Sequence, residues 1–373
     1  METLACPLTG LGLCEYRLDE AEDLVGRLSP RAGPRTPVGP TATVLVREDG
    51  AAAYPVVNGF PVLLAPEVLR PASGGPFEVD LADPRYAEAY VEMDFYNAAA
   101  ANVAPGAGSS SQLRLDRLAS LSPEQRQAFP DPAELWLDSA YESTAQWEAY
   151  HHLSPLGGAR ALQIGGKGEQ AVMFLLAGAA EAWVVSPMVG ELAYARALAQ
   201  RFGMNDRLRC AAGVAEELPL ASATIDRIWA KSLHHTVAQL AYPECARVLR
   251  DGGRLAAVEP WRAALHDLGT RILGKRERGV HCRPLDYHRV APFLEAFPDG
   301  RVVRHGPFLR YPMLALERFG LKLDVARALP LARLDDRLGS LVPGRHRPGS
   351  CAALLGGPSA IQDRVPPSRS LSQ

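Results

Sequence analysis

Residues 160–170, Arg160-Ala-Leu-Gln-Ile-Gly-Gly-Lys-Gly-Glu-Gln170, decide the fold. Arg160 to Ile164 is a short, mostly apolar strand that stops abruptly at Gly165-Gly166-Lys167-Gly168. Gln170 to Ala180 then reads as a helix, and Ala182-Trp-Val-Val185 as a second strand. Val189 to Phe202 is a helix ended by Gly203, and Leu208 to Ala212 a third strand. Ile225-Asp-Arg-Ile-Trp229 is a fourth strand, followed by a helix from Val237 to Leu249 that Asp251-Gly252-Gly253 closes. Arg254-Leu-Ala-Ala-Val258 is a fifth. Strands alternating with helices of this length predict a parallel sheet wound on both faces. Such a sheet binds ligands at the C-terminal ends of its strands.

The rest of the chain sets the limits. At 373 residues it exceeds one ordinary domain, and its 47% hydrophobic content is enough for a sizeable core. Forty basic against 42 acidic residues leave a net charge of −2, which argues against nucleic acid as the partner. Only Lys167, Lys231, Lys275 and Lys322 are lysines, so each is worth locating. No run approaches the roughly 20 apolar residues of a membrane span, and no basic segment precedes an apolar one at the start. Six scattered cysteines without C-x-x-C spacing fit a reducing compartment, and the expectation is a cytoplasmic protein without a metal site.

Upstream, Ala52 to Leu64 reads as a hairpin turning at Asn58-Gly59, with Thr41 to Arg47 a strand before it and a proline-rich loop over 29–41. Helical signals follow over Pro84 to Ala101, Ser122 to Ala128 and Asp138 to Leu153, broken by the glycine- and serine-rich stretch Pro105 to Ser111. The aromatic helix ending at Leu153 reads either as a lid, with Tyr150 touching substrate, or as a helix packed on the next domain. Downstream, Arg301 to Arg304 and Ser350 to Leu355 suit an antiparallel pair closing the sheet, with a partly helical insertion from Met313 to Arg337.

Three stretches, in order and spacing, carry a likeness: ALQIGGKGEQ from Ala161, GVAEELPLASATIDRIWAKSLHHTV from Gly213, and ECARVLRDGGRLAAVEPW from Glu244. Together they resemble the class I S-adenosylmethionine-dependent methyltransferases, especially the type 11 subgroup. The resemblance implies an α/β fold: a doubly wound, seven-stranded Rossmann-like sheet over 154–358, after a small β-rich domain (1–70) and a helical connector (71–153), with a tail at 359–373. It also implies methyl transfer from S-adenosylmethionine to O, N or C of a small molecule, in specialised metabolism. A tRNA or protein acceptor is one alternative; a pseudo-methyltransferase serving as a binding or scaffold protein is another. The oligomeric state stays open. The stretch YPVVNGFPVLLAP from Tyr54 resembles the zinc-ribbon-like methyltransferase-activator domain without its cysteine set, since Thr9 stands where the partner of Cys6 belongs.

By the same resemblance, Gln163, Gly165, Gly166, Lys167, Gly168, Ser186, Glu216 and Leu218 surround the cofactor. Three positions that are acidic in the family are here Gln163, Ser186 and Val214, and Lys167 replaces a glycine of the turn. Glu191 and Glu216 are possible replacements for the lost charge. Lys231, His234 and His235 follow the fourth strand, where substrate and methyl group meet. A histidine there can take the acceptor's proton because its ordinary pKa is near neutral; the alternative is a structural cap. Glu259 and Trp261, after the fifth strand, and Arg276 and Arg283, in a basic loop suited to an anionic group, are candidate substrate contacts. Arg310-Tyr311, placed in the sixth-strand region, is a further one.

Overall fold

The apolar runs of the sequence become strands wherever two faces must be buried at once. The computed structural model of the chain describes residues 3–17, 28–29, 43–64, 70–71, 89, 110–262, 283–321, 323–342 and 348–357. The helical signal at Pro84 to Ala101, most of the proline-rich and glycine-rich loops, Lys275 to Cys282 and the tail lie outside these residues.

The N-terminal part holds β1 (Leu13–Arg17), β2 (Leu28–Ser29), β3 (Thr43–Arg47), β4 (Ala53–Val57), β5 (Phe60–Pro61) and β6 (Arg70–Pro71). β1, β3, β4 and β5 form one antiparallel sheet, and β2 pairs with β6. The hairpin between β4 and β5 turns at Asn58 and Gly59, both at positive φ (+53° and +77°), as a tight two-residue turn requires. Cys6 is buried with its Sγ 3.1 Å from the Tyr54 hydroxyl, and Arg47 is buried against Asp49 through two 2.6 Å hydrogen bonds.

This module continues the larger sheet. Val62 bridges Ala212 in parallel, with Leu63 N donating to Ala212 O and Ala212 N to Pro61 O, each at 2.8 Å. Thr3 and Ala5 pair with Ala221 and Pro219 on the same loop.

Among the described residues, four helices precede the main sheet: α1 (Ser110–Ala119), α2 (Pro123–Gln127), α3 (Ala133–Trp136) and α4 (Ser143–Leu153). α2 starts at a Ser122/Gln125 capping box. The sheet then alternates β7 (Arg160–Ile164), α5 (Glu169–Leu176), β8 (Glu181–Val185), α6 (Val189–Arg201), β9 (Leu208–Ala211), β10 (Ile225–Ala230), α7 (Ala238–Val248) and β11 (Leu249–Pro260). It closes with α8 (Ala291–Ala296), β12 (Arg301–His305), α9 (Arg310–Arg318), α10 (Val325–Ser340) and β13 (Cys351–Gly356). Seven strands lie in the order β12-β13-β11-β10-β7-β8-β9, parallel except for β13, which is antiparallel to both neighbours.

Three expected boundaries move. The helix after the glycine turn ends at Leu176 because Gly178 takes φ +99°. The fifth strand absorbs Asp251-Gly252-Gly253, with a register shift opposite Ile225 and Arg227. Arg310 opens α9 and does not continue the sixth strand.

α4 packs on β11 and β13 as a layer of the core, not as a lid. Tyr150 is fully buried, its ring 4.5 Å from the fully buried Trp229 of β10, with Phe129 and Phe174 around it. It packs in the core and is not among the residues that line the cavity beside Lys231.

Two buried histidines make the core respond to pH in opposite senses. His152 Nε2 lies 2.9 Å from Gly356 O, and burial, with Arg254 nearby, lowers its pKa to about 4. The unfolded chain takes a proton at this site below about pH 6.5, whereas the folded chain refuses it until about 4. Stability therefore falls through that window by about 3 kcal/mol for a shift of this size. Burial opposes the charge on His305 too, but its hydrogen bond to Asp336 (2.7 Å) and its ion pair with Glu148 (3.2 Å) hold its pKa above the usual value, so its contribution is lost as pH rises. In denaturant titrations at pH 7 and pH 4.5, His152→Gln, which can still donate to Gly356 O, should lose much less stability between the two than the wild type.

Candidate active site

The turn between β7 and α5 is built of glycines for two separate reasons. Gly165, Gly166 and Gly168 all lie at positive φ (+73°, +74° and +76°), a region in which side chains are strained. Space also forbids a side chain. A Cβ on Gly165 would sit 2.8 Å from Lys231 O, and one on Gly168 would sit 2.4 Å from Ala195 Cβ of α6. Lys167, the residue that breaks the expected glycine pattern, is not at positive φ and is exposed. The lysine therefore occupies a position the backbone does not reserve for glycine, while Gly166 and Gly168 meet the steric demands on either side.

Gln163 supports this turn from below. Its Oε1 accepts from Ala171 N at 2.8 Å and its Nε2 donates to Gly165 O at 2.9 Å. A carboxylate could make only the accepting half of that clip. Gln163 is thus turned onto its own backbone, not outward to a ligand.

Ser186, at the end of β8, is fully buried. Its hydroxyl donates to Glu191 Oε2 at 3.1 Å and accepts from Met188 N at 3.3 Å. The first turn of α6 thereby returns a carboxylate to the strand end where serine replaced one. Burial raises the pKa of Glu191, an effect that Ser186 and the charge of Lys167 partly offset. The Lys167 ammonium lies 5.8 Å from the Tyr194 ring. Glu216 and Leu218 serve the neighbouring loop. Glu216 Oε1 accepts from Val237 N at 2.9 Å, ahead of α7, and the buried Leu218 donates its N–H to Glu244 Oε2 at 2.8 Å.

Beyond β10, Ser232 adopts φ +83°, a strained conformation for a residue with a side chain, and the chain folds into a single 3₁₀ turn over Leu233–His235. Glu259, at the end of the adjacent β11, holds that turn. It is 1% exposed; its carboxylate accepts from Leu233 N at 2.8 Å and from His234 N at 3.4 Å, and lies 2.5 Å from His234 Nδ1. An ionised carboxylate can only accept, so it places a proton on Nδ1. Glu259 is therefore a grip on His234, and its expected role as a substrate contact gives way to that. The His235 ring lies 4.0 Å from that of His234, and Arg289 donates to His234 O at 2.9 Å.

Lys231 points the other way, to a cluster that no sequence spacing announces. Its ammonium lies 3.7 Å from Glu142, which also meets Arg310 at 3.4 Å. The charge of Glu142 holds Lys231 protonated well above the usual lysine range. Lys231 and Glu142 line a cavity of about 900 Å³, together with Arg114, Asp138 and Tyr141 on one side and Met313 and Leu323 on the other. Trp261 is 4% exposed and packs edge-on against Tyr287, with Arg304 over its ring. Arg283 is exposed and gives its carbonyl to Arg289. Arg276 lies outside the described residues. The strand ends thus bring together the glycine turn, Ser186 with Glu191, and His234 with Glu259. Tyr150 is set apart in the core, and Trp261 packs beside the strand ends.

Residues 162–257 match a family model described as a methyltransferase domain. The methyltransferase GfsG of Streptomyces halstedii is 31% identical over 150 residues, 39% of this chain and 54% of that protein. The chain thus spans about half the length of this curated relative. A geranyl diphosphate C-methyltransferase from Streptomyces coelicolor A3(2) is similar in structure at 18% identity and a TM-score of 0.44, covering 74% of this chain and 98% of that one. A Haemonchus contortus phosphoethanolamine N-methyltransferase follows at 15% identity and a TM-score of 0.41, covering 64% and 60%. Among the described residues no helix is long and apolar enough to cross a membrane.

Proposed function

We propose that the chain transfers a methyl group from S-adenosylmethionine to an oxygen, nitrogen or carbon of a small molecule. The observation that carries this reading is the turn over Gly165 to Gly168, where added Cβ atoms would strike Lys231 O and Ala195. It leaves bare backbone at the C-terminal end of β7, where sheets of this kind take nucleotide-like ligands. The nearby donor set fits a cationic cofactor better than the bare sequence implies. Glu191 supplies a buried carboxylate at the end of β8, and Lys167 leans on Tyr194. When bound, the cofactor supplies an electrophilic methyl group on its sulfonium.

The chain's own residues do the rest. The turn and Glu191 hold the nucleoside end. His234, held by Glu259 as the Nδ1–H tautomer, offers Nε2 as the base that receives the acceptor's proton. Proximity and alignment supply the larger share of the acceleration. A small molecule suits the cavity beside Lys231 and the near-neutral charge of the chain.

Calorimetric titration with S-adenosylmethionine and S-adenosylhomocysteine tests the reading, and absence of binding at millimolar concentration would overturn it. Glu191→Gln should weaken S-adenosylhomocysteine binding by roughly 10- to 100-fold, the value of one charge-assisted hydrogen bond. A second reading, a ligand-binding relative without catalysis, draws on the inward closure of Gln163. Tight cofactor binding without transfer to any acceptor would favour it.

A further inference from the structure

We infer that the acceptor is an uncharged, amphipathic molecule with hydroxyl or carbonyl groups along one edge, seated in the cavity beside Lys231. This rests on the methyl-transfer reading for the word acceptor, but the cavity's preference stands on its own geometry. The cavity adjoins the proposed reaction site through Lys231, whose carbonyl abuts Gly165 while its side chain lines the cavity. At about 900 Å³ it is of the size that takes a small molecule.

Its two walls differ. On one side Met313, Leu323, Val325 and Ala326, at or near the ends of α9 and α10, supply apolar groups around the exposed Asp324, which pairs with Arg327 at 3.4 Å. Exposed Phe319 (81%) and Leu321 (63%) lie between α9 and α10 in the chain, flanking that wall. On the other side stand donors and acceptors together: Lys231, Arg114, Asp138 and Glu142.

Charge decides between ligand classes. Lys231 is answered by Glu142 at 3.7 Å, and Arg114 by Asp138 at 3.7 Å and Glu169 at 3.8 Å; Arg310 also draws on Glu142, at 3.4 Å. Arg117, Glu134 and Asp324 line the cavity as exposed residues, and Asp324 is paired with Arg327 at 3.4 Å. A phosphate or carboxylate entering here would have to compete with a carboxylate already in place, and an ammonium would have to displace an arginine or lysine. Desolvating a charge without a new partner is costly. Hydroxyl and carbonyl groups meet no such competition, because a paired ammonium or carboxylate still has hydrogen-bonding capacity left. The opposite wall takes the apolar edge.

Three probes with one alkyl chain separate the classes: 1-octanoylglycerol, octyl phosphate and octylamine. Each is titrated calorimetrically into the full-length protein, with and without S-adenosylhomocysteine. The neutral glyceride should bind at least tenfold more tightly than either charged probe. Met313→Asp and Leu323→Asp should each weaken it fivefold or more while leaving S-adenosylhomocysteine affinity unchanged; Leu323 is only half-buried, so its variant guards against a folding defect at Met313. A charged probe binding as tightly as the neutral one, no probe binding, or indifference to both substitutions would overturn the inference. Glyceride binding that depends on Met313, in a protein that takes no S-adenosylhomocysteine, would support the cavity's preference and overturn the methyl-transfer reading alone.

Discussion

Glu259→Gln should lower the rate of methyl transfer by about 10²- to 10³-fold while changing S-adenosylhomocysteine affinity less than twofold. The substitution keeps size and shape, and the amide oxygen can still accept from Leu233 N, as the carboxylate does at 2.8 Å. The difference falls on the ring. The amide nitrogen turned to His234 Nδ1 would donate and not accept, so the imidazole must move its proton to Nε2. The nitrogen proposed to receive a proton would then already carry one. A purely structural grip predicts a different pattern: lower stability and weaker cofactor binding, with the pH dependence of the rate unaltered. The pH–rate profile distinguishes the two, since Glu259→Gln should remove the rise in rate that follows deprotonation of His234. His234→Ala should cost as much, and the double variant no more, because the two residues act as a unit.

Gly168→Ala should destabilise the protein by about 2–5 kcal/mol and weaken cofactor binding by more than tenfold. Two penalties combine here. Left-handed backbone costs any residue with a Cβ roughly 1–2 kcal/mol. The new methyl group would also lie 2.4 Å from Ala195 Cβ, so α6 must move away from the turn, taking Glu191 with it. Gly203→Ala isolates the first penalty. Its φ is +68°, but nothing lies within 4 Å of the added atom, so it should cost only the backbone share and leave the cofactor untouched. Urea unfolding of both variants checks this, and equal losses would show that the contact with α6 is without consequence.

The strands of the main sheet were legible because they are buried on both faces and so appear as short, largely apolar runs between turn and helix signals. Arg160–Ile164 matches its expected span, and Ile225–Ala230 differs by one residue. Asn58-Gly59 was legible because few dipeptides turn a hairpin so tightly. The site was only half legible. The glycine turn and the histidines announce themselves locally, but a role depends on partners brought from elsewhere. His234 meets Glu259 only because β10 and β11 end side by side, and a lone glutamate closing an apolar strand was the one available signal. Glu142 gave none: it meets Lys231 and Arg310 across three separate segments. Gln163 has a partner that its position did not announce. Its position suggested a ligand contact, yet both ends of its amide are engaged by the turn it supports.

The pairing of Val62 and Leu63 with Ala212 has a consequence for the protein's solubility. β9 is the last strand of the main sheet, and an uncovered last strand offers its free amides and carbonyls to any passing chain. The small N-terminal sheet takes up the end of that edge, and Thr3 and Ala5 cover the loop beyond it. A chain that lacked only residues 1–64 would keep every strand of the larger sheet and the α4 layer on β11 and β13 but uncover that end, inviting edge-to-edge self-association. The N-terminal module thus engages backbone groups that the end of the sheet would otherwise present to another chain.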